Sequence, residues 1–445
     1  MIVHQELNGK ENCLNRDGSI QDRSRILFLN RSYWPDAEAT GQLLTELCED
    51  LTGRFDVSVV AGQPNQNPNG ETYNRSRHQE RNGVLIERVR HPQWSKRSLI
   101  GRAINLIGFL FAATFRSLRI SRPDFVIVET DPFMLPMLGR WLKWWHGSRL
   151  IVYLQDLYPD VAVVLEKVRE GWLTRLIRWQ LTAAYRQADA IVVLSGDMKN
   201  TLINWGIESS RIVCIENWVD TSSVFPVKTK NAFRERFGLH SKFIVMHSGN
   251  MGLSQYLDNV LKAADLLGDR TDIEVFLVGD GATRRGLEET AIQFDLNNVR
   301  FLPYQPREEL AQSLSAADIH LISMHPEVHR CLMPSKLYGI LASGSPVLAI
   351  AAEESELARS IDEFQIGFTV PPGDPVALAE RLRWCADHRI ELVEMGERAR
   401  SVAVEHYDRK RQTSRFADLI LNISNGVVEP NSPRSNQKNK PVGRI

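Results

Sequence analysis

The sequence has few cysteines, no excess of either charge and no apolar segment near its start. Its five cysteines are odd in number and lack metal-ligand spacing, which predicts a reducing compartment and disfavours a zinc site. Lys plus Arg equals Asp plus Glu, 54 of each, so overall charge does not favour a nucleic-acid partner. Residues 1–24 lack the apolar core of a signal peptide, and they and the tail 425–445 are predicted to be disordered.

Between these ends, the pattern alternates strand and helix twice over. Nearly continuous Val, Ile and Leu runs such as "DFVIVET" and "RLIVYL" are typical of parallel strands that are buried on both faces. The sequence therefore predicts two Rossmann-like, doubly wound α/β domains facing a cleft. We expect a first domain at 25–216, a linker at 217–230, a second domain at 231–405 and a helix at 406–424 that returns to the first domain.

Glycines follow two strands of the second domain. Gly249 and Gly252 lie in "HSGNMGLSQ", and Gly279 and Gly281 lie in "VGDGATRRGLE". Small residues there let backbone N–H groups approach a phosphate, although tight turns also need glycine. Neither stretch is a G-x-G-x-x-G fingerprint or a P-loop. A third loop, "FLPYQPREEL", offers exposed backbone and Tyr304 to a flat base, or is a turn stiffened by proline.

The stretch "RCLMPSKLYGILASGSPVLA" places Ser335 and Lys336 at the start of a predicted helix. A helix N-terminus favours anions, so a lysine there suggests an anion that both share. The alternative is a lysine that extends into solvent. Together, four such loops at one sheet edge would surround a nucleotide and its phosphates.

The sequence resembles the family-4 retaining glycosyltransferases of the GT-B fold, in particular the bacterial enzymes that build colanic acid, O-antigen and capsule sugars. The resemblance spans 25–424. Its motifs are, in order, "YWPDAEATGQLLTEL", "YLQDLYPD", "VVLSGDM", "ENWVD", "HSGNMG", "VGDG" and "MPSKLYGILASGSPVLA".

The resemblance implies transfer of a sugar, with retention, from a UDP-linked donor to a polyprenyl-diphosphate-linked saccharide. It implies a cytoplasmic enzyme at the inner face of the membrane that needs no metal or other cofactor. The donor-binding residues that it implies are Thr40, Gly41, Gly249, Asn250, Gly252, Gly279, Gly281, Tyr304, Ser335 and Lys336.

The sequence departs from the family pattern at the donor site. Cys331 and Gly339 stand where relatives commonly carry two glutamates, the second of which holds the ribose. Asn250 and Gln255 stand near the usual arginine and lysine of the first phosphate loop. Lys336 is then expected to supply the missing positive charge and to act in catalysis.

Asp156, in "LQDLYPD", is the acceptor-side candidate. It follows a predicted strand and could accept a proton from an acceptor hydroxyl or orient the acceptor. Its other interpretation is a residue that caps a turn. Gln155 stands where many relatives have histidine, and no nucleophile is assigned.

Residues 94–122 contain six basic residues and no acidic one. Their apolar part is shorter than the roughly 20 residues that cross a bilayer, which favours a helix lying in the interface. The alternative is a helix packed on the sheet with a basic outer face. The predicted membrane or acceptor surface comprises Arg102, Phe109, Arg116, Arg119, Trp144 and Trp145.

Two other functions stay open. A nucleotide-sugar 2-epimerase of the same fold would need a cluster of carboxylates and histidines in the cleft. A catalytically silent subunit that binds nucleotide sugar would be consistent with the two missing glutamates.

Overall fold

The computed structural model describes residues 23–36, 38–64, 78–94 and 99–426. The predictions of disorder at 1–24 and 425–445 therefore lie almost wholly outside the described residues. Within them, the strands form two separate sheets, one in each half of the chain.

The first sheet has eight strands in the order β3-β4-β2-β1-β5-β6-β7-β8. All neighbours are parallel except β3 and β4, which are antiparallel. The strands are β1 (Arg25–Leu29), β2 (Asp56–Gly62), β3 (His78–Arg81), β4 (Val84–Val89), β5 (Phe125–Val128), β6 (Arg149–Tyr153), β7 (Ala190–Val193) and β8 (Ile212–Cys214).

Helices cover both faces of this sheet, because its central strands are apolar on each side. They are α1 (Ala39–Leu51), α2 (Leu99–Ser117), α3 (Leu135–His146), α4 (Asp160–Val164), α5 (Trp172–Tyr185) and α6 (Gly196–Asn204).

The second sheet is parallel throughout, in the order β11-β10-β9-β12-β13-β14. Its strands are β9 (Phe243–Ser248), β10 (Ile273–Val278), β11 (Val299–Leu302), β12 (Ile319–Ser323), β13 (Val347–Ile350) and β14 (Gly367–Val370). Its helices are α7 (Ala232–Phe237), α8 (Asp258–Leu266), α9 (Arg284–Gln293), α10 (Leu310–Ser315), α11 (Lys336–Ala342), α12 (Glu356–Phe364), α13 (Pro375–Asp387) and α14 (Arg389–His406).

A last helix, α15 (Arg409–Ser424), lies against the first domain. Its Arg409 pairs with Asp50 of α1, and its Phe416 packs edge-on against Tyr153 of β6. The exact domain limits stay a prediction. In the structure, the first sheet ends at Cys214 and the next helix begins at Ala232.

The prediction of two Rossmann-like parallel-sheet domains is confirmed. One strand was not predicted: β3, "HQER", is a short polar edge strand without apolar alternation. In doubly wound sheets, ligands bind where the strand order reverses. That point lies between β1 and β5 in the first domain and between β9 and β12 in the second.

Candidate functional site

The loops after β9 and β10 touch each other through their backbones. The Gly249 N–H donates to the carbonyl of Val278 at 2.9 Å, and the Met251 N–H donates to that of Asp280 at 2.8 Å. Gly279 has φ of +137°, and a Cβ there would lie 2.0 Å from the Gly249 carbonyl oxygen. Gly279 thus has a packing reason to be glycine, besides any ligand.

The other residues of these loops line the same edge. A Cβ on Gly281 would lie 2.4 Å from the Met251 carbonyl oxygen, so this glycine also serves the loop contact. Asn250 is exposed, and Gly252 is partly exposed beside it. Tyr304 is 56% exposed, and its hydroxyl donates to the carbonyl of Asp280 at 3.3 Å. The structure therefore brings the glycine loops and Tyr304 together.

Lys336 begins α11, as the sequence predicts, but its side chain does not extend into solvent. Nζ donates to Oε1 of Gln255 at 2.7 Å and lies 3.2 Å from Nε2 of His247. Its methylene chain passes over Gly249, where a Cβ would lie 3.4 Å from Cε. Burial lowers the pKa of the Lys336 ammonium to about 7. The solvent-exposed alternative is therefore wrong.

Lys336 has neutral partners only. Among the described residues, no carboxylate lies within ion-pair distance of its ammonium group. Ser335 is exposed, and its side chain makes no capping hydrogen bond. Because α11 has only seven residues, its dipole is a minor contribution beside the lysine charge.

Thr40 and Gly41 lie in the first turn of α1. Gly41 is buried, and a Cβ there would lie 2.6 Å from Oγ of Ser32. The side of Gly41 on which a side chain would lie is thus filled by protein. A bulky substitution at Gly41 would disturb the packing of α1 as well as any phosphate.

Asp156 lies on the other side of the cleft, where the two domains meet. It forms a bridge with Leu332, and the next residue, Leu157, donates its N–H to the carbonyl of Cys331 at 2.8 Å. Burial raises the pKa of the Asp156 carboxyl to about 6, and its Oδ1 has no hydrogen-bond partner. Asp156 thus lies next to the segment that leads into Lys336.

Two further carboxylates lie near Asp156 and were not predicted. Glu129 and Asp131 directly follow β5, the strand beside β6. Glu129 is fully buried, and burial and the nearby Asp131 raise the pKa of its carboxyl well above its usual range. Asp131 pairs with Arg31 at 2.8 Å. The sequence feature that could have indicated these two carboxylates is "VETDPF", in which charged residues come immediately after a buried central strand.

The described residues contain no group of three or more His, Cys, Asp or Glu side chains that could hold a metal ion. Cys331 and Gly339, at the positions of the two family glutamates, provide no carboxylate. Cys331 is buried, and a Cβ on Gly339 would contact Leu314.

The predicted membrane surface needs two corrections. Phe109 is fully buried, because it lies on the side of α2 that packs on the sheet. Arg116 forms an ion pair with the buried carboxylate of Glu87 at 2.5 Å, so its charge is already balanced. Arg119 is exposed, whereas the side chain of Arg102 lies outside the described residues.

The exposed apolar stripe of α2 consists of Ile107, Phe111 and Phe115, spaced four residues apart. On α3, Trp144 and Trp145 are 76% and 55% exposed. On α5, which was not predicted to take part, Trp172 and Trp179 are 77% and 62% exposed. Since α3 contacts both α2 and α5, the three helices form one surface. We call it the aromatic face: Ile107, Phe111, Phe115, Trp144, Trp145, Trp172, Leu176 and Trp179.

Comparison with known proteins gives the same division into two domains. Residues 39–218 match the glycosyl transferase 4-like domain, and residues 229–402 match glycosyl transferases group 1. The chain is 29% identical to the probable glycosyltransferase WbjE of Pseudomonas aeruginosa, over 75% of this chain and 84% of the relative. It is 28% identical to the putative colanic acid biosynthesis glycosyl transferase WcaI of Escherichia coli K12, over 81% and 91%.

Solved structures show the GT-B fold. Sucrose-phosphate synthase from Thermosynechococcus elongatus matches with a TM-score of 0.72 at 17% identity, over 91% of this chain and 100% of that one. Anabaena Alr3699/HepE in complex with UDP matches with a TM-score of 0.68 at 15% identity, over 89% and 100%. WaaG, a glycosyltransferase involved in lipopolysaccharide biosynthesis, matches with a TM-score of 0.66 at 17% identity, over 89% and 99%. With both halves matched, the chain belongs to the glycosyltransferases that join a 4-like N-terminal domain to a group 1 C-terminal domain.

Proposed function

We propose that this glycosyltransferase moves a sugar, with retention, from a UDP-linked donor to a polyprenyl-diphosphate-linked saccharide in the synthesis of a cell-surface polysaccharide. The observation that carries the proposal is the Lys336 ammonium, which lies over Gly249 and has no carboxylate partner among the described residues. A half-buried cation without a counter-ion is costly unless an anion binds beside it.

A donor diphosphate supplies that anion. It would accept charge-assisted hydrogen bonds from Lys336 and from backbone N–H groups of the loops after β9 and β10. HepE was solved in complex with UDP, and a second HepE structure was solved with UDP-glucose. The names of WcaI and WaaG refer to colanic acid and lipopolysaccharide, which supports a polysaccharide role here.

We assign to Lys336, rather than to a metal ion, the neutralisation of charge on the leaving diphosphate. A cationic side chain can stabilise charge that develops as the glycosidic bond breaks. Transfer should then persist in the presence of a chelator such as EDTA. Loss of activity with EDTA and its recovery with added Mg²⁺ or Mn²⁺ would contradict this assignment.

On the acceptor side, Asp156 is proposed to orient the acceptor hydroxyl or to accept its proton. With a pKa of about 6, the carboxylate is mostly ionised at neutral pH. Its unpartnered Oδ1 is free to accept one hydrogen bond. No nucleophile is assigned, since the leaving phosphate can also take the proton.

The test of the donor site is the variant Lys336→Met. It removes the charge and keeps most of the apolar side chain. UDP-glucose binding, measured by calorimetry, should weaken more than tenfold, as expected for the loss of a charge-assisted contact worth about 1.5–3 kcal/mol. The matched control is Lys262→Met, at an exposed lysine on α8, which should bind as the wild type does. Equal affinity in both variants would remove Lys336 from the site.

A 2-epimerase is the second candidate, and the carboxylates Glu129, Asp131 and Asp156 favour it. Burial counts against it, because Glu129 is fully buried whereas Asp156 is partly exposed, so these carboxyl groups are not all accessible to one sugar. The products separate the possibilities. Without acceptor, an epimerase yields the 2-epimeric sugar, either still linked to UDP or released together with UDP. A transferase releases UDP with an acceptor lipid, and a silent subunit forms none of these products.

We also propose that the aromatic face rests on the membrane. No described helix is long and apolar enough to cross a bilayer. Exposed tryptophan side chains are suited to the headgroup boundary, because the indole ring is apolar and its N–H can donate to a headgroup or to water. Exposed phenylalanine and leucine side chains are suited to the apolar layer just below it. A surface of this kind would hold the enzyme near a lipid-linked acceptor.

A further inference from the structure

Lys336 shares its surroundings with a second ionisable side chain, His247. This histidine is fully buried near the end of β9, where it follows four apolar residues, Phe243 to Met246. Its Nε2 lies 3.2 Å from Nζ of Lys336 and 3.4 Å from the carbonyl oxygen of Asn250. Its Nδ1 has no hydrogen-bond partner of normal geometry.

Lys336 and the carbonyl of Asn250 require opposite protonation states of the same ring nitrogen, Nε2. A charged Lys336 can only donate, so Nε2 must then accept and the ring proton must sit on Nδ1. The carbonyl of Asn250 can only accept, so Nε2 must then carry the proton. The tautomer of His247 is therefore coupled to the charge of Lys336.

The remaining groups around the ammonium do not fix its charge. Gln255 is neutral and accepts a hydrogen bond from Nζ. His320 faces the pair from β12, and burial lowers its pKa to about 4, so it is neutral at pH 7. Burial and Lys336 together also hold the pKa of His247 well below its usual range. The pocket thus tolerates either charge state of the lysine.

We propose that His247 is a positioning residue whose change of tautomer lets Lys336 take up one proton when the diphosphate of the donor binds. The proton comes from solvent and is bound at Nζ of Lys336. His247 loses a proton from Nε2 and gains one at Nδ1, so its own charge does not change. This inference rests on the proposed donor site. It states in addition that binding of the donor is coupled to the uptake of one proton.

The number of protons taken up follows from the charge of the free enzyme. With a lysine pKa of about 7, uptake should be about 0.9 proton at pH 8 and about 0.1 at pH 6. UDP-glucose is the appropriate probe, because its diphosphate is esterified at both ends and does not itself titrate near neutral pH. UDP alone would add a proton of its own.

The experiment is calorimetry of UDP-glucose binding in pairs of phosphate-free buffers that differ in ionisation enthalpy, HEPES and Tris at pH 8 and MES and imidazole at pH 6. The wild type should show the uptake given above, and Lys336→Met should show none. His247→Gln, whose amide can accept or donate, should keep the affinity within about threefold. His247→Leu removes the nitrogen that accepts a hydrogen bond from charged Lys336, so the charged form of the lysine is less favourable in this variant. Binding should therefore weaken about tenfold at pH 8, and a proton should still be taken up at pH 6.

The control is His388→Gln. This histidine lies outside the donor loops and contacts the carbonyl of Trp384, so the variant should behave as the wild type does. Binding with the same enthalpy in both buffers at pH 8 would overturn the coupling and leave the donor site intact. An unchanged uptake profile in His247→Leu would show that His247 has a structural role only. Failure of the wild type to bind UDP-glucose or any other nucleotide sugar would overturn the proposed function itself.

Discussion

Two charged side chains in the cleft, Lys336 and Asp156, are held in surroundings that favour their neutral forms. Burial moves the pKa of the lysine down and that of the aspartate up, so the two values lie close to neutral pH. Groups poised in this way are more often found at functional sites than on structural surfaces. Each of these two pKa shifts leads to a separate prediction.

The first prediction concerns stability. Between pH 7 and about 10, the folded protein holds Lys336 neutral while the unfolded chain protonates it, so unfolding takes up a proton and stability rises with pH. The free energy of unfolding of wild type, minus that of Lys336→Met, should rise by up to about 1.4 kcal/mol per pH unit. Denaturant titrations at pH 6 to 9 measure it. Parallel curves for the two proteins would show that Lys336 is solvated.

The second prediction concerns Asp156 and the pH dependence of activity. If the carboxylate must be ionised, kcat/KM should fall about tenfold per unit as the pH drops below about 6. Asp156→Asn should lose transfer and still bind UDP-glucose. Asp258→Asn, at an exposed residue of α8, should keep the wild-type profile. A wild-type rate that stays level down to pH 5 would exclude ionised Asp156 from the reaction.

At the scale of helices and strands, contacts between elements of different domains hold the cleft together. Asp197 of α6 is buried, accepts the backbone N–H of Glu356 at 2.6 Å and pairs with Arg359 of α12. Glu46 of α1 accepts from Arg307 at 2.6 Å on the other side. Two-domain chains move about such interfaces by default, so these contacts bias the cleft towards closure.

The third prediction follows from the Asp197 contact. Asp197→Ala should cost the closed arrangement about 1–3 kcal/mol, because a buried acceptor and an ion pair are lost together. Small-angle scattering should then give a larger radius of gyration, which UDP-glucose should reverse in part. Asp269→Ala breaks an exposed pair with Arg383 inside the second domain and should change nothing. The same radius of gyration in all three proteins would mean that Asp197 does not control opening.

The helices and strands could be predicted from the sequence much better than the surroundings of their side chains. The stretch "MPSKLYG" predicts a helix start at Lys336, since proline and the apolar spacing are local signals. Its partners Gln255 and His247 lie 81 and 89 residues away in the chain, so no local pattern could predict the burial of the lysine. The prediction for Phe109 failed for another reason: α2 carries large apolar residues on both its buried and its exposed side, so their spacing alone does not decide which side packs on the sheet.

At the scale of the whole molecule, the three most exposed tryptophan side chains of the described residues lie in the first domain, on α3 and α5. A soluble monomer rarely exposes an extended aromatic surface unless that surface binds a protein, a ligand or a membrane. The aromatic face spans three helices, and the exposed Arg119 and Arg122 lie at its basic end. Arg116 is not a suitable probe of membrane binding, because its removal would leave the buried carboxylate of Glu87 with His78 as its one ion-pair partner among the described residues.

The last prediction is therefore made for the tryptophans of α5. Trp172→Ser combined with Trp179→Ser removes two exposed rings without opening the core, and should reduce flotation with anionic vesicles by about tenfold or more. The control pair Ile292→Ser and Ile390→Ser removes exposed apolar side chains of the second domain and should float as the wild type does. Raising the salt concentration should weaken only the part of binding that depends on the arginines, because salt screens charge and not apolar contact. A wild type that does not float at low salt, or a tryptophan variant that floats equally well, would place the membrane contact elsewhere or exclude it.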